Sequence, residues 1–227
     1  MTLSRRYLEA GGMREPYLSA VDDRALTDEQ LSASLTATLA VRPKGAGWWV
    51  FGYGSLLWNP LFPIAEARAA TVHGLHRTFC LRSLASRGTP DKPGLVLALE
   101  PGGACHGVAY RLPSPLAMDE LALLWRREMV VGAYRPRWVR LRSAERNLVG
   151  LTFVVRRDHV QYARLSHAEQ AEIIAEACGA FGSSCDYLMR TRAALASHGI
   201  IDRYLERLAG DVEARQRACA APPGHPA

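Results

Sequence analysis

Between residues 48 and 156 the chain reads as a run of short strands separated by turn residues, with a single helix among them. The strand-like segments are residues 48–53, 71–82, 95–99, 105–112, 137–141 and 149–156. Pro101-Gly102-Gly103 carries the residues of a chain reversal and is expected to separate the third from the fourth. Six strands in so short a stretch need mutual hydrogen bonding and one shared core, which predicts a compact curved sheet or small barrel. The one helix is expected to open at Ser114-Pro115, a capping hydroxyl followed by proline at the first helical position, and to run to about Val130.

The flanks have a different character. Thr27 with Gln30 forms a capping box, in which side chains satisfy two amide donors that a helix start leaves free. Leu31, Leu35 and Leu39 then recur on one face, and the helix ends near Arg42-Pro43 before a flexible joint at residues 44–47. Residues 1–46 therefore read as an N-terminal helical extension and residues 47–212 as the principal domain. After Arg156 a second capping box, Ser166 with Glu169, starts another helical run, with further helices over 186–196 and 202–208. Residues 213–227, rich in proline toward the end, are expected to form a flexible tail. Both candidate sites described below lie beyond the joint, so the extension is expected to be dispensable for catalysis.

Composition narrows the function classes. The 227 residues, 48% hydrophobic and 22% charged, are those of an ordinary globular protein, and no apolar run approaches the length of a membrane span. No apolar leader follows Arg5-Arg6, so a cytoplasmic location is expected. The net charge of +6 comes from arginines scattered along the chain, not from a basic block interleaved with aromatics, which argues against nucleic acid as partner. Five cysteines without C-x-x-C spacing read as reduced thiols, Cys80 and Cys105 as core residues within strands. His73 and His76 fall on opposite faces of a strand, so no metal site is expected.

Chemistry is concentrated in two places. An apolar strand over Val50, Phe51 and Gly52 ends in Tyr53-Gly54-Ser55, where glycines let a ligand approach the main chain and let backbone N–H groups converge on an anion. The plain alternative is an ordinary strand exit. In the single helix, Met118, Leu121, Trp125 and Met129 fall on one apolar arc and Glu128 lies within it, whereas Asp119, Arg126 and Arg127 fall elsewhere. A carboxylate facing a core is disfavoured unless paired or used, and desolvation moves it toward the basicity of a general base. A structural ion pair with an arginine is the competing explanation. Tyr187, early in a late helix, would on pattern alone be a packing residue.

The segments 49–60, 107–112, 124–134 and 186–188 occur in the order of one family. The chain resembles the ChaC-type γ-glutamylcyclotransferases that act on glutathione. That resemblance implies an α+β fold, a small mixed β-barrel with surrounding helices, and no metal or organic cofactor. It implies that glutathione is the small-molecule substrate, split by internal cyclisation into 5-oxoproline and cysteinylglycine. The substrate-binding loop maps onto Val50, Phe51, Gly52, Tyr53, Gly54 and Ser55, the catalytic glutamate onto Glu128, and a carboxylate-binding tyrosine onto Tyr187. Ala133 stands where many members have glycine, and Arg111 is a weak candidate for holding a substrate carboxylate. Two rival functions are a cyclotransferase for another γ-glutamyl amide and a non-catalytic regulatory protein; the inward Glu128 favours catalysis. Protein partners are not indicated.

Overall fold

The computed structural model describes residues 3–14 and 25–220, with the side chain of Ala220 excepted. Five strands close a barrel in the order β1-β3-β2-β4-β5: β1 (Trp49–Gly52), β2 (Glu66–Ser83), β3 (Gly94–Arg111), β4 (Tyr134–Arg142) and β5 (Asn147–Val155). Neighbours run antiparallel except where β5 meets β1, at Val50 opposite Leu151, and β3, at Leu99 opposite Val154. These parallel contacts make the barrel mixed. Closure removes the unpaired edges that a five-stranded open sheet would expose.

The expected reversal at Pro101-Gly102-Gly103 is not one. The chain continues as the single long strand β3, paired with β2 on both sides of those residues, so two predicted segments are one element. Gly102 and Gly103 take φ of 110° and 65°, and opposite them the ladder slips between His73 and Leu75, around Gly74 at φ 80°. The glycines absorb a bulge and bend the long hairpin without turning the chain back.

Inward-facing side chains alternate along β2, where Leu75, Arg77 and Phe79 are buried, as period-two geometry requires. Phe51, Phe79, Phe153 and Trp125 are fully buried, and Trp125 meets Phe153 edge to face at 5.5 Å. Cys80 and Cys105 lie buried as expected, and desolvation pushes the Cys105 thiol up to about 11.

Six helices surround the barrel among the described residues: α1 (Arg5–Glu9), α2 (Asp28–Ala40), α3 (Ala117–Glu128), α4 (His167–Glu176), α5 (Ser184–Ser197) and α6 (Arg203–Ala220). Both expected capping boxes form, at Thr27 and at Ser166. Ser114 does not cap α3. A 3-10 turn over Ser114–Leu116 precedes that helix, with no side-chain cap bond. The last helix runs well past Leu208, so residues 213–220 are helical and not tail; 221–227 lie outside the described residues. No helix among the described residues is long and apolar enough to cross a membrane.

The greatest departure is in α3, which is buried on two faces. Leu121 and Trp125 face the barrel as expected, while Glu120, Leu123 and Arg127, spaced three and four apart, form a second buried stripe. Met118, placed on the apolar arc by periodicity, is half exposed. The second stripe is covered by the N-terminal segment: Leu8, Met13 and Ala25 pack in one cluster with Leu123, Val130 and Val131. Replacing Trp125, where α3 meets the barrel, tests this packing directly. Trp125→Ala is expected to lose about 3–5 kcal/mol of stability in denaturant unfolding, and a loss below about 1 kcal/mol would show that α3 is not anchored there.

Candidate active site

The end of β1, the end of α3 and the start of α5 meet at one point. Of the predicted loop residues, Val50, Phe51 and Gly52 belong to the ladder, opposite Tyr110, Ala109 and Val108 of β3. Val50 and Phe51 are buried in the core, and neither is among the residues lining the cavity described below. Tyr53, Gly54 and Ser55 form the exit itself. The Tyr53 carbonyl accepts a 2.7 Å bond from Arg77, a buried cation that also pairs with Asp202 at 2.9 Å. The Tyr53 hydroxyl donates to the Phe153 carbonyl at 2.7 Å. Chain direction at the exit is thus set by fixed partners on both sides.

Gly54 is required by close approach. A Cβ there would lie 2.6 Å from the Tyr187 hydroxyl, which itself accepts the Ser55 N–H at 3.3 Å. Tyr187 is buried at the first turn of α5 with its ring edge-on to Trp58 and Phe79, at 5.8 and 5.9 Å. Packing and site placement are therefore the same property of this residue. Ser183 caps α5 by accepting the Asp186 N–H, which fixes the turn that carries Tyr187.

Glu128 is the last residue of α3, its side chain only 13% exposed. Arg127 Nε lies 2.9 Å from its Oε1, a charge contact not aligned as a hydrogen bond, so that oxygen has no hydrogen-bond partner. Burial pushes the Glu128 carboxyl above the ordinary carboxylate range, and the adjacent guanidinium only partly opposes this. The negative end of the helix dipole acts in the same upward direction. The ion pair foreseen as the competing explanation is present, and it is made by that same buried oxygen.

Arg127 was missed by the sequence pattern because it lies on the second face of α3. Its guanidinium donates to Ser55 Oγ at 2.8 Å and to the Asn59 carbonyl, tying the helix end to the loop. Tyr134 was also missed as a site residue. It donates to the Leu97 carbonyl at 3.1 Å, and burial holds its hydroxyl well above its ordinary pKa. Arg111 is elsewhere: it pairs with Glu66 at 2.9 Å and does not line the cavity. The arginines that do line it are Arg82, Arg87, Arg127 and Arg190, of which Arg87 is bonded to Asp186 at 3.0 Å.

Ser55, Glu128, Tyr134 and Tyr187 line a cavity of about 270 Å³ and also border a small recess of about 20 Å³ that continues to Tyr53, Gly54 and Phe153. A narrow end with one basic carboxylate, opening to a wider chamber, can seat the reacting end of a small molecule and hold its remainder outside. Among the described residues no group of three or more His, Cys, Asp or Glu side chains is arranged to hold a metal.

The Gly54 geometry makes a coupled prediction. Gly54→Ala should lower thermal stability, and removing the opposing hydroxyl in Gly54→Ala/Tyr187→Phe should restore part of the loss. Melting temperatures that simply add across the two substitutions would contradict the contact.

The ChaC-like protein family profile matches residues 48–215. A protein of Escherichia coli K12, glutathione-specific gamma-glutamylcyclotransferase, is 43% identical over 79% of this chain and 79% of its own length. The human glutathione-specific gamma-glutamylcyclotransferase 1 is 31% identical over 63% of this chain and 67% of its own. A crystal structure of the yeast γ-glutamyl cyclotransferase specific to glutathione superposes with a TM-score of 0.70 at 25% identity, covering 77% of this chain and 99% of that one. Since the family match spans most of the barrel and its helices and the bacterial relative aligns over most of both chains, this chain belongs to the ChaC-like family.

Proposed function

We propose that the chain is a glutathione-specific γ-glutamylcyclotransferase, releasing 5-oxoproline and cysteinylglycine, with Glu128 as general acid and base. The observation that carries the role of Glu128 is its placement: a desolvated carboxylate bordering both the cavity and its narrow end, beside the glycine exit. The activity itself is the one named for the bacterial, human and yeast relatives.

The substrate α-amine, with a pKa near ~8, is mostly protonated at neutral pH and cannot attack until it loses a proton. Glu128 takes it. The amine nitrogen then forms a bond to the γ-carbonyl carbon, closing a five-membered ring and moving the carbonyl pair onto oxygen. That oxyanion meets the Gly54-Ser55 turn, where the Tyr187 hydroxyl, itself accepting the Ser55 N–H at 3.3 Å, turns its own proton toward it. As the carbonyl re-forms, the bond to the cysteinyl nitrogen breaks and Glu128 returns its proton to that nitrogen; the second proton, shed by the ring nitrogen as it becomes the lactam N–H, passes the same way and leaves the dipeptide as its ammonium. Nucleophile and electrophile are in one molecule, so no water is consumed and the protein's task is to hold the attacking conformer. Arg127 is the positioning residue in this scheme: it holds Ser55 through Oγ and keeps Glu128 beside the turn. No step draws on a metal or an organic cofactor. A cytoplasmic location is part of the same proposal, since free thiols persist where a reducing pool maintains them.

The test is incubation of the purified chain with glutathione and detection of 5-oxoproline, with N-acetylglutathione and a chelator as controls. Glutathione should be converted in the presence of chelator, and the acetylated compound, which lacks the nucleophile, should not. Glu128→Gln should stay folded, though less stable because Arg127 loses its buried counter-charge, bind glutathione within about tenfold, and lose on the order of 10⁴ in turnover. Rapid processing of the acetylated compound would point to attack by water, and near-normal turnover in the glutamine variant would remove Glu128 from the mechanism.

A further inference from the structure

The wider chamber is not walled by the barrel alone. Leu3 and Met13, both outside the segment matched by the family profile, line it together with Trp58, Phe181 and Val131. The segment bearing them is fixed to the rest of the protein by polar contacts, two of them close to the chamber and a third where Arg126 donates to the Glu9 carbonyl at 3.4 Å. Arg5 bonds both oxygens of the buried Glu120, at 2.7 and 2.9 Å, and the Leu61 carbonyl at 3.2 Å. Asn59 donates to the Leu3 carbonyl at 3.0 Å, while its own carbonyl accepts from Arg127. One residue therefore joins the N-terminal segment to the guanidinium that holds Ser55 and Glu128. Leu8 and Met13 are buried in the cluster beneath.

We infer that residues 3–14 are a built-in wall of the substrate chamber, and that Met13 and Leu3 contact the part of the substrate beyond the scissile amide. The inference rests on the proposed cyclotransferase reading and extends it to the half of the ligand that leaves as the dipeptide. Its logic is spatial. The recess holding Gly54, Glu128 and Tyr187 takes the reacting γ-glutamyl carbon, and neither Leu3 nor Met13 borders that recess. Both border the chamber into which the remainder must extend. Apolar side chains there contribute affinity by covering the thiol-bearing segment, and they touch no reacting atom. This placement argues against the expectation that the extension is dispensable for catalysis.

The experiment compares the full chain with Met13→Ala, Met13→Leu and Leu3→Ala, measuring kcat and KM for glutathione and the melting temperature of each. Met13→Ala and Leu3→Ala should raise KM by about three- to tenfold, the scale of one or two buried methylenes, with kcat within about twofold of the parent. Met13→Leu, which keeps the volume, should restore KM. A purely supporting role would instead lower melting temperature without moving KM in folded protein, or would reduce kcat and KM effects together, and either result overturns the inference. If the parent makes 5-oxoproline and the variants do not differ, only the wall is wrong; if the parent makes none, the reading beneath it fails.

Discussion

The contact between Arg127 and Glu128 is the constraint on which the site depends. Both side chains are taken from water at the end of α3, where an isolated carboxylate would be strongly disfavoured. The guanidinium makes the burial tolerable without neutralising the carboxylate's proton affinity, because its contact with Oε1 lacks hydrogen-bond alignment. Its remaining donors go to Ser55 Oγ and the Asn59 carbonyl, so the cation that compensates Glu128 also fixes the loop opposite it. Breaking such a pair from one side leaves an unpaired buried charge, which is why the two residues act as a unit.

The barrel supplies the other side of this arrangement. β1 is short, paired with β3 on one edge and touching β5 on the other, so its carboxyl end is held firmly where the chain leaves the sheet. Arg77 from β2 grips the first residue of the exit, and Tyr187 from α5 closes over the second, which only glycine can occupy. Three elements distant in sequence therefore converge on a few atoms. A site so assembled needs no mobile part to bring base and turn together.

Much of this was legible beforehand, and the failures have specific causes. The Gly-x-Gly exit was readable because loss of side chains at the end of an apolar strand has few purposes, and Glu128 because a carboxylate interrupts a hydrophobic arc. Val50, Phe51 and Gly52 came with the motif and lie in the β1–β3 ladder that leads into the exit. Arg127 escaped because periodicity assumes a helix with a single buried face, while α3 lies between the barrel and the N-terminal segment. The same assumption sent Met118 inward, although it is half exposed. Pro101-Gly102-Gly103 misled because a bulge and a turn draw on the same residues, and only the partner strand distinguishes them.

The role proposed for Glu128 is that of a base whose proton affinity is raised by burial and moderated by Arg127. The pH dependence of kcat/KM for glutathione tests it most directly, since activity requires the ionised carboxylate and must fall as pH drops through its pKa. The expected result is an acid-side inflection clearly above the ~4.3 of an ordinary glutamate, moving further upward in Arg127→Gln, which removes the charge that favours ionisation. An inflection at the ordinary value, or one that stays in place when Arg127 is replaced, would contradict it.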